Sequence, residues 1–136
     1  SPSYPAVLVN SLFCKGKGTR TIYLDKSPYL SKGYNVYQAA DKNWGATEKD
    51  TDYSDINMPD PTLTDGVYQW NVSDGKIKHF ATEQEVIKVV KEFKVEDNPI
   101  GMQFLEWCGE AAFGKDGRGQ IRNKEKMQAG AYDAGL

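Results

Sequence analysis

Residues 66–81 read GVYQWNVSDGKIKHFA, and the Asp74-Gly75 pair near their centre is the strongest turn signal in the chain. Asp-Gly between alternating apolar and polar residues predicts a two-residue hairpin turn, because the turn that matches strand twist needs positive φ at both central positions. A turn there fixes the register. Ser73 faces Lys76, Val72 faces Ile77, Asn71 faces Lys78, Trp70 faces His79 and Tyr68 faces Ala81. Side chains alternate along a strand, so Tyr68, Trp70, Val72, Ile77 and Ala81 share one apolar face, and Asn71, Ser73, Lys76 and Lys78 the opposite one.

Working outward toward the N-terminus, AVLVN (6–10), TRTIYLD (19–25) and GYNVYQAA (33–40) are rich in β-branched and aromatic residues and read as strands. CKGKGTR (14–20) is a glycine-punctuated turn, and residues 41–65 form a long polar excursion closed by Pro59 and Pro61. On the C-terminal side, Thr82 and Glu85 have the spacing of a capping box. Val86, Val89, Val90 and Phe93 then recur with helical periodicity. A second helix is expected with Asn98 as cap and Pro99 at its first position. Its apolar stripe is Ile100, Phe104, Trp107, Cys108 and Ala111, and its end is at Gly114.

These readings predict an α+β fold: a small antiparallel, mainly N-terminal β-sheet built around the Asp-Gly hairpin, with two C-terminal helices on its apolar face. Residues 1–113 are expected to form the single domain, and residues 114–136 a Gly-rich basic C-terminal arm. Ordering a backbone costs about 1–2 kcal/mol per residue. Ile121, Met127, Tyr132 and Leu136 are too few to offset that on the domain's own surface, so the arm is expected to order only against a neighbour.

The 136 residues suit one domain, and 39% apolar with 12% aromatic content excludes a chain disordered throughout. No run of 18 apolar residues is present, so a soluble chain without a signal peptide or transmembrane segment is expected. Cys14 and Cys108 lack metal-ligand spacing and read as two buried thiols, with a single disulfide as the alternative; no cofactor is expected.

Four enzyme-like signals each fail on context. Pro59-Asp60 with Asp74-Gly75-Lys76 has the letters of a two-carboxylate-and-lysine nuclease motif, but its second carboxylate sits in the predicted turn. The string from Asp50 to Asp55 begins like a calcium loop, yet Asp55 stands where glycine is required and Pro61 where the bidentate glutamate belongs. His79 is the only histidine and is expected to pack against Trp70, which removes the base from any His-dependent triad. GKGTR and GKDGRGQ lack phosphate-loop spacing, and the second follows a helix instead of preceding one.

Charge is segregated along the chain. Residues 41–65 carry seven acidic residues against Lys42 and Lys49, whereas residues 114–128 carry five basic ones against Asp116 and Glu125. Lys115, Arg118, Arg122, Lys124 and Lys126 are therefore expected to meet carboxylates such as Asp50, Asp52 and Asp55 of another copy or of a protein partner. With a net charge of −2, nucleic acid is only a secondary candidate for the basic arm, and no membrane contact is expected. The leading expectation is a non-catalytic interaction or assembly module, a structural component of a larger complex or virion-like particle. The alternatives are a small ligand-binding domain using the acidic, aromatic 41–65 loop, and a metal-dependent hydrolase or nuclease around Asp60.

Overall fold

A computed structural model describes residues 6–15, 18–23, 29–41, 43–53, 62–64, 67–69 and 77–131. The N-terminal half is a parallel layer, which corrects the antiparallel sheet expected from sequence. Strand β1 (Ala6–Leu8) pairs in parallel with β3 (Tyr29–Ser31), and β2 (Leu12–Phe13) with β4 (Val36–Tyr37). Strand β5 (Thr51–Asp52) then adds in parallel to β4.

The two sheets are one layer with a step in it. Asn10 lies between β1 and β2 with φ 48°, and Gly33 and Tyr34 lie between β3 and β4 with φ 91° and 63°, so both chain segments bend at the same level. Backbone bonds continue across the bend: Lys32 N–H to Leu8 O, Asn10 N–H to Gly33 O and Val36 N–H to Ser11 O. Asn35, fully buried, fastens the step. Its side chain accepts from Ser11 N–H and donates to Leu8 O and Ser31 Oγ. Asp50 caps the same knot by accepting from Asn35 N–H, Ser31 Oγ and Thr47 N–H. Parallel pairing needs a long connection between partners, and 20 residues separate β1 from β3, 22 separate β2 from β4 and 13 separate β4 from β5.

The described antiparallel pair lies N-terminal to the expected turn. Strand β6 (Thr62–Thr64) pairs with β7 (Val67–Gln69), with Leu63 opposite Tyr68 and Thr64 opposite Val67. The two residues between these strands, 65 and 66, lie outside the described residues. Tyr68 does not face Ala81, which instead bridges Met127. Residues 77–80 are not in a strand, and His79 is exposed. The expected turn at 74–75 and the pairings of Trp70 through Lys76 lie outside the described residues.

Helix α1 (Glu83–Glu92) starts as expected: Thr82 Oγ1 accepts from Glu85 N–H, and Glu85 Oε2 accepts from Thr82 N–H. Its buried face carries Val86 and Ile87, while Val89, Val90 and Phe93 are half-buried. Helix α2 (Ile100–Cys108) has Pro99, not Asn98, at its N-cap and stops at Gly109, φ 78°; a 3₁₀ turn follows over Glu110–Gly114. Its core-facing residues are Gly101 and Leu105. Gly101 is where the helices meet most closely: a Cβ there would lie 1.7 Å from Val90 O, so only glycine fits.

Residues 115–131 are not an arm. Met127 packs with Ala81 and Val86 in one cluster of the core, and Ala129 with Val36, Tyr53 and Ile77 in the other. Arg122 is only 9% exposed. Its Nη2 donates to Gly130 O at 2.9 Å and Ala131 O at 3.1 Å, Nε to Lys115 O at 3.2 Å and Nη1 to Gln128 O at 3.4 Å. Asp116, also buried, accepts from Arg118 N–H and Gln120 N–H. The expectation of an unsupported arm counted side chains and omitted these polar knots, which tie the glycine-rich backbone to itself.

Candidate docking surface

The residues expected to bind a partner are divided by the fold. Arg122 is committed to backbone carbonyls and Asp50 to the β-layer knot, so neither reaches outward. Arg118 is half-buried, with Nη2 3.4 Å from Gln120 Oε1. Lys115, Lys124 and Lys126 are exposed; Lys124 lies 3.8 Å from Glu83 Oε2, and Lys126 sits 4.5 Å from the centre of the Phe80 ring. Asp52 is exposed, and Asp55 lies outside the described residues, as does Asp60. In the 41–65 segment, Trp44 and Tyr53 are buried in the core, Trp44 edge-on to Tyr37, so these two aromatics do not offer a ligand platform.

Among the described residues no group of three His, Cys, Asp or Glu side chains is placed to hold a metal ion, and no helix is long and apolar enough to cross a membrane. Cys14 and Cys108 are both free thiols. Burial pushes the Cys14 thiol up to about 11, which keeps it protonated and a poor nucleophile at neutral pH. The Tyr34 hydroxyl is also raised, first by desolvation and then by Glu85, against the opposing effect of Lys49.

The surface that stands out is on α2, where the sequence had placed core. The helix carries two apolar stripes. Gly101 and Leu105 are buried toward α1 and the interior, while on the adjoining stripe, with the spacing i, i+4 and i+7, Ile100 is half-buried and Phe104 and Trp107 are exposed. Trp107 is 84% exposed and Phe104 45%. The two rings meet edge to face at 6.3 Å, and Phe104 meets Phe113 in the same way at 6.4 Å.

Beside this ridge runs an apolar groove of about 520 Å³, walled by Val7 and Val9, by Val89 and Phe93 of α1, and by Phe104 and Phe113. A smaller hollow of about 160 Å³ shares Val7, Val89 and Phe93 and continues the trough toward Leu30. A helix apolar on all sides belongs in an interior, so an outer stripe left in water marks a contact still to be made. Sequence reasoning singled out Ile100, Phe104 and Trp107 but assigned them to the core. The available signal was that the helix is apolar at Gly101 and Leu105 too, one stripe more than a two-layer fold can cover. No protein-family model matches the chain, and comparisons with curated proteins and with solved structures find no match either.

Proposed function

We propose that this chain is a non-catalytic protein-docking module, a structural component of a larger complex, and that its contact is the α2 ridge with the adjoining groove. The observation that carries this reading is Trp107, held 84% exposed next to Phe104 at the edge of the groove. Interface centres are rich in aromatics and poor in charge. The nine residues of α2 include one charged side chain, Glu106. A pairing of basic and acidic segments between subunits loses support, since Arg122 and Asp50 are spent inside the fold.

A photo-crosslinking amino acid placed at position 107, in the cells that make the protein, tests the reading against the same group at exposed His79. Discrete protein adducts at 107 and few at 79 are expected. Equal labelling at both positions overturns the proposal.

A further inference from the structure

We infer that the occupant of this surface is a second copy of the same chain, related by a two-fold axis across α2, with each Trp107 seated in the other copy's groove. The inference rests on the docking reading above and names its partner. A two-fold interface requires one patch to carry both a projection and the recess that receives it. Here the projection (Trp107) and the recess (the groove walled by Val9, Val89, Phe93 and Phe113) share Phe104 as their common wall. Packing α2 against its symmetry mate brings each element opposite its complement. The spacing of Ile100, Phe104 and Trp107 is that of a helix-pair seam, in which one helix's side chains fill the gaps of the other.

Area and charge agree with this occupant. With 84% and 45% of their surfaces exposed, Trp107 and Phe104 leave about 300 Å² in water per copy. A standard interface buries about 800 Å² per partner, somewhat over half of it apolar. The two rings therefore supply about two-thirds of the apolar share, and the groove walls add to it. That places the contact at the small, reversible end, with a dissociation constant on the order of micromolar.

The rim is mixed in sign: Lys88, Lys91 and Lys94 stand among Glu92, Glu106 and Glu110, all exposed. Lys91 and Glu110 already pair at 2.7 Å. A mixed rim around a charge-poor centre accepts its own copy without the repulsion a single-sign patch would create.

Sedimentation velocity of the purified chain across about 1–200 μM, spanning the expected micromolar range, tests the inference. The expected result is a monomer that becomes a dimer with rising concentration, with tryptophan emission shifting to the blue in step and that shift lost in Trp107→Phe. Trp107→Ala should move the midpoint at least tenfold higher while leaving thermal unfolding of the monomer unchanged, because the ring is exposed there. Phe104→Ser serves as a second variant with the same expected shift.

A wild-type chain that stays monomeric at the highest concentration overturns the inference. If that monomer still gives discrete foreign-protein adducts from position 107 in cells, the docking reading survives and only the identity of the partner fails. A monomer whose tryptophan emission changes saturably on titration with a long-chain fatty acid, a response lost in Trp107→Ala, overturns it in favour of an apolar ligand. A dimer indifferent to both substitutions overturns it in favour of another face.

Discussion

Replacing Arg122 with alanine should unfold much of what the C-terminal segment holds together. The guanidinium is 9% exposed and donates to four carbonyls, two at 2.9 and 3.1 Å and two at 3.2 and 3.4 Å. Hydrogen bonds from a charged donor contribute about 1.5–3 kcal/mol each, and buried acceptors left without a partner cost a comparable amount. Counting the two short bonds fully and the two long ones only weakly gives about 3–5 kcal/mol. For a domain of this size that lowers the melting temperature by about 10–20 °C. Arg122→Lys keeps the charge but not the fork, and one ammonium cannot reach Gly130, Ala131 and Lys115 together, so it should recover less than half of the loss. Urea unfolding followed by tryptophan fluorescence measures both variants. If Arg122→Ala unfolds within about 0.5 kcal/mol of the parent, the guanidinium is not what fastens residues 115–131 to the core.

Three further outcomes are expected. Asn35→Ala removes the amide that joins Ser11, Leu8 and Ser31 across the step and should cost about 2–4 kcal/mol in urea unfolding; an unchanged midpoint would mean the step holds without it. Gly101→Ala forces a methyl to within 1.7 Å of Val90 O and should cost about 3 kcal/mol or more, read as a lower melting temperature by circular dichroism; a stability equal to the parent's would place α2 farther from α1. In a Cys108→Ser background, Cys14 at about 11 should be thiolate in only about one molecule in a thousand at pH 8, and native alkylation should be correspondingly slow. Its unfolded thiol titrates near 9.0, so the stability this group contributes is intact below pH 9 and is lost as pH rises toward 11. Fast native labelling at pH 8 would contradict the burial.

Local signals were legible where the chemistry is local. The Thr82–Glu85 capping box needs four consecutive residues and was read correctly from them. The pairing of distant segments was not legible. Asp-Gly occurs at 65–66 and again at 74–75, and a turn dipeptide alone does not say which strands pair; β7 pairs with β6, the segment before it. The parallel register of β1 with β3 and of β2 with β4 depends on two bends at Asn10 and Tyr34. Both are non-glycine residues at positive φ, which propensity argues against. Likewise, the basic letters of 115–126 look alike in sequence. Only the fold separates Arg122, which binds carbonyls within, from Lys115 and Lys126, which face water. On α2 the periodicity was right and the side was wrong, because two stripes satisfy the same spacing and only contact with α1 chooses between them.

The last described turn of the chain closes against the first. Asn10 Nδ2 donates to Gln128 O, a partner 118 residues away, and Gly130 N–H returns the bond to Asn10 O. A Cβ on Gly130 would come within 3.0 Å of Leu12, and Ala129 fills the cluster that also holds Val36 and Tyr53. During synthesis, therefore, the parallel layer emerges early but lacks a wall of its core until residues near 130 have left the ribosome. Contacts this distant in sequence form slowly, because a long loop must close before they contribute anything. Until that point the nascent chain carries its unfinished strands with their edges uncovered, the interval in which strand edges recruit one another. A truncation or stalled product lacking the final dozen of these residues should thus be found in aggregates and not as a smaller folded form.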